Sequence, residues 1–200
     1  MGEGIVMTLN FFDTETTGLP VKNKSDQFQP HTVQLASIVT DDEGRIMSEM
    51  NHIIKPNGWD IPQGSIDVHG ITVDIANNYG FSRAAVLSMF TNTCRKSSKM
   101  IAHNAAFDLN MLSTDYRREG IKSPFIGKEV FCTAQGTADL VKIPPTPKMI
   151  QWGHGNKFKT PNLQELHTFL FGEGFEDAHD AMIDVRACMR CYFELKKRGI

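Results

Sequence analysis

Charge of one sign is not in surplus in this chain: 21 Lys and Arg stand against 23 Asp and Glu, a formal net charge of −2. A broad, non-specific duplex binder carries a strong basic excess, so that class is excluded. A small cleft handling a chain end, with metal ions supplying the positive charge, is not. Cysteine is scarce, with four residues at 94, 132, 188 and 191. Only Cys188 and Cys191 are close, and no second pair stands at metal-ligand spacing. Structural zinc therefore drops out and buried reduced thiols remain, which suits a reducing cytosol. No apolar run approaches the roughly 20 residues that a membrane span needs, so neither a membrane partner nor an anchor is expected. The opening MGEGIVMTLNFF has no basic n-region or cleavage signature, which predicts no signal peptide. Val6 stands where a myristoylation pattern needs Ser or Thr. Repeats and low-complexity segments are absent too.

What is present fits one domain over residues 1–200, long enough to bury a real core. Hydrophobic residues make up 40% and charged residues 22% of the chain, ordinary values for a globular protein. Ten methionines read as adaptable core. Alternating apolar residues predict strands over 5–13, 33–39 and 46–54, the last two joined by the turn Asp41-Asp42-Glu43-Gly44. Ser82 is placed to cap a helix over 83–98. A fourth strand is expected over 99–103, a helix over 105–119 ended by Gly120, and a fifth strand over 130–133. Asn162 and Glu165 form a capping box for a helix that stops at Gly172. The last helix, about 180–198, carries the stripe Ala181, Val185, Cys188, Tyr192, Leu195 at spacings of 4, 3, 4 and 3. Three β segments followed by alternating helix and strand indicate an α/β fold with a five-stranded mixed sheet, an antiparallel meander and then parallel strands 4 and 5.

Between 140 and 164 the pattern changes. Four prolines and four lysines (Lys142, Lys148, Lys157, Lys159) occur there with no Asp or Glu. A long excursion with little regular structure is expected, and loops of that length are often functional. Lysines with Trp152 and Phe158 among them make the combination that tracks a single strand by charge and stacking; the competing reading is a solvated loop around a buried Trp.

Four acids occupy unusual places. In a strand, Asp13 and Glu15 point to the same face, and two like charges there raise each other's pKa unless a cation lies between them. Asp108 opens the helix after strand four, where capping by charge is the plain alternative. Asp184 borders the apolar stripe of the last helix, where a carboxylate is costly unless paired or metal-bound, and Arg186 points elsewhere. His179 precedes that helix, where a loop can aim it.

With these residues in view, DTETTG at 13–18, HNAAFD at 103–108 and HDAMIDVRA at 179–187 resemble the three motifs of the DnaQ-like, DEDDh-type 3′–5′ exonucleases. Val68–Thr72 (VHGIT) resembles a further segment of that family. The resemblance covers essentially the whole chain and implies a ribonuclease H-like fold. It implies that Asp13, Glu15, Asp108 and Asp184 hold two Mg²⁺ ions, for which Mn²⁺ can substitute, and that His179 is the general base. All-carboxylate sites suit such hard ions, and two ions can clamp the attacking and leaving oxygens of a phosphoryl displacement. Carried over in the same way, Thr16 and Leu19 touch the terminal sugar or base, His69 and Phe107 wall the pocket, and Asn104 reaches a phosphate. The plain alternatives are core packing for Leu19 and Phe107 and capping for Asn104. Lys157 and Lys159 are further candidate substrate contacts.

The expected activity is metal-dependent removal of nucleoside monophosphates from single-stranded DNA 3′ ends, either beside a DNA polymerase as a proofreading subunit or as a free trimming enzyme in the cytoplasm. The alternatives are the same chemistry on RNA, as in oligoribonuclease-like or tRNA-trimming enzymes, and a non-catalytic nucleic-acid-binding module.

Overall fold

The computed structural model describes residues 7–200. The sequence features read from residues 1–6, including the start of the first predicted strand and the Val6 position, lie outside the described residues. Strand β1 (Thr8–Thr16) pairs antiparallel with β2 (Thr32–Asp41), which pairs antiparallel with β3 (Ile46–Ile53). Helices α1 (Gln63–His69), α2 (Val73–Tyr79) and α3 (Arg83–Lys96) follow. Strand β4 (Lys99–Ala102) then lies parallel to β1, and after helix α4 (Ala105–Arg118) strand β5 (Glu129–Cys132) lies parallel to β4. The sheet order is β3-β2-β1-β4-β5, so the motif-bearing first strand is central. Short helices α5 (Thr133–Gly136), α6 (Ala138–Val141) and α7 (Pro147–Gln151) lead to α8 (Leu163–Phe171) and α9 (Ala181–Lys197).

Strand alternation divides the core in two. Phe12 and Leu35 face one way, against Val86, Leu87 and Phe90 of α3 and Leu112 and Tyr116 of α4. Leu9, Phe11, Ala36 and Ile38 face the other way, against Ala181, Val185 and Cys188 of α9. The predicted stripe of α9 is thus its buried face, with Tyr192 partly buried at its edge. Glu15 and Asp13 have the parity of Phe11 and fall on the α9 side.

Several boundaries differ from the sequence expectation. The first strand runs on through both acids to Thr16, because β2 keeps pairing with it (Asp13 with Ala36, Glu15 with Gln34) up to a bulge at Glu15/Thr16. The 140–164 stretch is not without regular structure: α7 begins on Pro147 with Thr146 accepting from the Met149 N–H, and Ile143 bridges to Lys159. Trp152 is 63% exposed, so the stretch does not wrap a buried Trp. Helices α1, α2, α5 and α6 were not expected.

Candidate active site

Four acids arrive at one end of the sheet from three elements, and a histidine joins them from the loop before α9. Asp13 and Glu15 come from β1. Asp108 comes from the first turn of α4 and reaches across to β1, where its Oδ1 accepts from the backbone N–H (3.0 Å) and hydroxyl (2.7 Å) of Thr14. This contact is available because β4 pairs with β1 only as far as Phe11, leaving the β1 edge beyond it bare on that side. Asp108 therefore docks onto the strand through its carboxylate, as the plain capping reading did not anticipate. Asp184 lies in the first turn of α9, and its Oδ2 accepts from the His179 backbone N–H at 3.2 Å. Glu15, His179 and Asp184 each offer a ligand atom within 4.8 Å of the others.

No Lys or Arg among the described residues forms an ion pair with Asp13, Glu15, Asp108 or Asp184. Arg186, the cation nearest in sequence to Asp184, is engaged by Glu49 at 2.8 Å. The acids are left to raise one another. Burial first, then the charges of Asp108, Asp184, Glu15 and Asp180, push Asp13 well above the usual carboxylate range. Burial and the neighbouring acids raise Glu15 to about 8. Asp108 rises to about 7, chiefly through burial, against the lowering effect of its Thr14 bonds. Burial also raises Asp184.

The oxygens divide clearly into committed and free. Asp180 caps α9, with Oδ1 accepting from Met182 and Ile183 N–H groups and Oδ2 from Gln34. It is tied up. By contrast, the carboxylates of Asp13 and Glu15 accept no hydrogen bond from the described residues, and Asp108 and Asp184 each keep one oxygen free. Convergent, unpartnered, partly buried carboxylate oxygens with one imidazole nearby form a donor set that fits a hard divalent cation. His179 is held at φ 76°, a left-handed conformation that costs a non-glycine residue of order 1–3 kcal/mol. Such strain persists where the surroundings enforce it. Here the loop is tied at Phe175 by the Gln164 carboxamide and at Glu173 by His167.

The other predicted residues fall around this centre. Leu19 is 78% exposed, so it is not core. The Thr16 hydroxyl donates to the Gly18 carbonyl and shapes the turn that carries Leu19. His69 accepts from Ile71 N–H at Nδ1, and its Nε2 is buried beside the Thr16 backbone without a well-aligned partner. Burial lowers its pKa. Phe107 is half-buried, and Asn104 is exposed at φ 65° at the N-cap position of α4, where its side chain makes no capping bond. Asn104 and Lys159 line one cavity of about 510 Å³ together with Gln135 and His103. The Lys159 ammonium is engaged there by Glu165, the capping-box acid, so its charge is already partnered. Lys157 is exposed and makes no ion pair. Two supporting residues escaped the sequence reading: Thr14, between the two acids of the first motif, and Gln34, opposite Glu15.

A mixed sheet in this order, with acids gathered where β1, α4 and α9 meet, defines the ribonuclease H-like nuclease fold. The chain belongs to the exonuclease family: the RNase_T family model, described as "Exonuclease", matches residues 11–192. It is 30% identical over 189 residues to DNA polymerase III PolC-type of Streptococcus suis, a match covering 94% of this chain and 11% of that protein. The same enzyme of Lactococcus lactis is 28% identical over 192 residues, covering 94% and 10%. The chain thus spans about a tenth of the length of these relatives. Among solved structures, exonuclease I resembles it with a TM-score of 0.75 at 20% identity, over 96% of this chain and 41% of that one. Escherichia coli exonuclease I in complex with a dA16 oligonucleotide gives 0.72 at 20% identity, over 96% and 41%. These structural likenesses show the fold.

Proposed function

We propose that the chain is a divalent-metal-dependent 3′–5′ exonuclease that removes nucleoside monophosphates from single-stranded DNA. The observation that carries this reading is the convergence of Asp13, Glu15, Asp108 and Asp184 with no cation among them. Mg²⁺ ions held by these four carboxylates, Mn²⁺ serving in their place, would neutralise the charge that builds on the scissile phosphate and lower the pKa of the attacking water. The protein's own part is positional. Thr14 fixes Asp108, and the α9 cap and the His179 N–H fix Asp184. The His179 imidazole accepts the proton from the water as general base. Burial of the acid cluster strengthens each of these electrostatic effects.

The terminal nucleotide lies against Thr16 and Leu19, with His69 and Phe107 as walls. His69 Nε2 lies buried against the Thr16 backbone, which ties this wall to the first motif. Asn104 contacts a phosphate, and the strand continues over the acid-free stretch past Lys159 and Lys157, where exposed Trp152 offers a stacking face beneath Lys148. The four cysteines are free thiols and, among the described residues, no helix is long and apolar enough to cross a membrane. The PolC likeness supports action in the cytoplasm on DNA ends, beside a polymerase or alone.

The test is digestion of 5′-labelled DNA and RNA single strands with Mg²⁺ and with EDTA. A ladder of DNA shortening one nucleotide at a time, lost in EDTA, is expected. RNA-only digestion would overturn the choice of sugar, and endonucleolytic products or no cleavage would overturn the exonuclease reading.

A further inference from the structure

We infer that Gln34 is a positioning residue for the acid centre: its carboxamide locks the first turn of α9 onto β2 and so sets where Asp184 and His179 stand relative to Asp13 and Glu15. This rests on the nuclease reading of those acids. Gln34 is 4% exposed and directly opposite Glu15 in the β1–β2 pairing, on the same face of the sheet. Its Nε2 donates to Asn51 Oδ1 on β3 at 2.9 Å and to Asp180 Oδ2 at 3.2 Å, and its Oε1 accepts from the Ala181 N–H at 3.2 Å.

Only a neutral amide meets this combination. A carboxylate needs a donor and a helix N–H needs an acceptor, and the two lie on adjacent residues. Flipping the amide would set its carbonyl against the Asp180 carboxylate and its NH₂ against the Ala181 N–H, so one orientation is selected. The consequence reaches the proposed ligands through short links. Asp184 N–H bonds the Asp180 carbonyl at 3.0 Å, one helical turn on, and His179 is the residue before Asp180, its own N–H held by Asp184. Residues 179–184 therefore form one hydrogen-bonded unit suspended from Gln34. The same contact spends the free oxygen of Asp180, keeping a fifth carboxylate from competing for the cation.

Gln34→Ala tests this with two readouts, kcat against KM on a short single-stranded DNA and Mg²⁺ affinity by titration calorimetry. Loss of an orienting partner typically lowers metal affinity or activity by about 10–100-fold. That loss is expected in kcat and in Mg²⁺ affinity, with KM within about two-fold, because the proposed nucleotide pocket is built on other elements. In a His179→Ala background the further loss in kcat should shrink, since Gln34 acts partly through that residue. Should Gln34→Ala not fold, Asp180→Ser keeps a helix cap while removing the carboxylate that Gln34 holds, and the same pattern is expected. Unchanged kcat and Mg²⁺ affinity, or an equal loss in both backgrounds, would overturn the role of Gln34. An inactive wild type would overturn the nuclease reading instead, with calorimetry still reporting on Gln34; a wild type that neither cleaves nor binds Mg²⁺ overturns both.

Discussion

Glu15 is 9% exposed and its nearest charged neighbours are acids, which together with burial carry it from the ordinary 4.5 to about 8. A carboxyl whose folded pKa is raised keeps a proton that the unfolded chain has already released, so stability present below pH 4.5 is lost as pH climbs through about 8. The metal-free protein should therefore melt at progressively lower temperature between about pH 5 and 8 in EDTA, and Glu15→Gln should flatten that slope. Added Mg²⁺ should raise Tm most at the upper end of the window, where the acids are ionised; a Tm that rises with pH in EDTA would refute the electrostatic picture. Asp13→Asn belongs to the same argument: it should abolish cleavage while leaving the metal-free protein as stable as wild type or more so at the upper end of the window, because it removes a buried carboxyl whose ionised form nothing offsets. His179→Ala should cost about 10²–10⁴-fold in kcat, measured against wild type in the same buffer and Mg²⁺.

At the scale of the element, local chemistry decides the ends of helices. Ser82 accepts from the Ala85 N–H and starts α3, and the reciprocal Asn162–Glu165 capping box starts α8. Replacing Asn162 by Ala should lower stability by about 1 kcal/mol in denaturant melts, without changing turnover. Both caps are legible because they depend on residues three apart. Helices α1 and α2 were missed for the opposite reason: each has seven residues and too few turns to display an apolar period, although Thr72 caps α2 and Gly70 ends α1 at φ 73°. The acid-free stretch misled in a different way. Its prolines suggest disorder of shape, yet Pro147 occupies the first turn of α7, where a missing N–H costs nothing. Its lysines also differ in a manner no sequence pattern shows. Lys159 is paired with Glu165 while Lys157 has no such partner. Lys157→Ala should raise KM for single strands and reduce the salt dependence of KM, as loss of a phosphate contact does; an unchanged salt slope would remove it from the strand's path.

For the whole molecule, the order of elements was readable from alternation followed by helix–strand repeats. The gathering of Asp13, Glu15, Asp108 and Asp184 was readable only from motif likeness, because nothing local says that residues so far apart along the chain will meet. What no pattern reveals is the support beneath them. Gln34 and Thr14 look like ordinary polar residues of half-buried strands until their partners across the sheet and on α9 and α4 are known. Phe90→Ala, deep in the layer under α3 and α4 and remote in kind from the acids, should destabilise by about 3–5 kcal/mol, with activity of the remaining folded fraction retained.

The brevity of β4 has a wider consequence. Four residues long, it releases its neighbour after Phe11, and the chain turns at once into α4 through Asn104 in a left-handed conformation. The gap so formed is the berth into which Asp108 swings. One added residue between Ala102 and Asn104 would let the two strands zip further, fill that berth with backbone and rotate the helix by about 100°, turning Asp108 away from Thr14. Insertions should therefore be borne in the β2–β3 turn and refused here, even though both are short connections at the rim of one sheet.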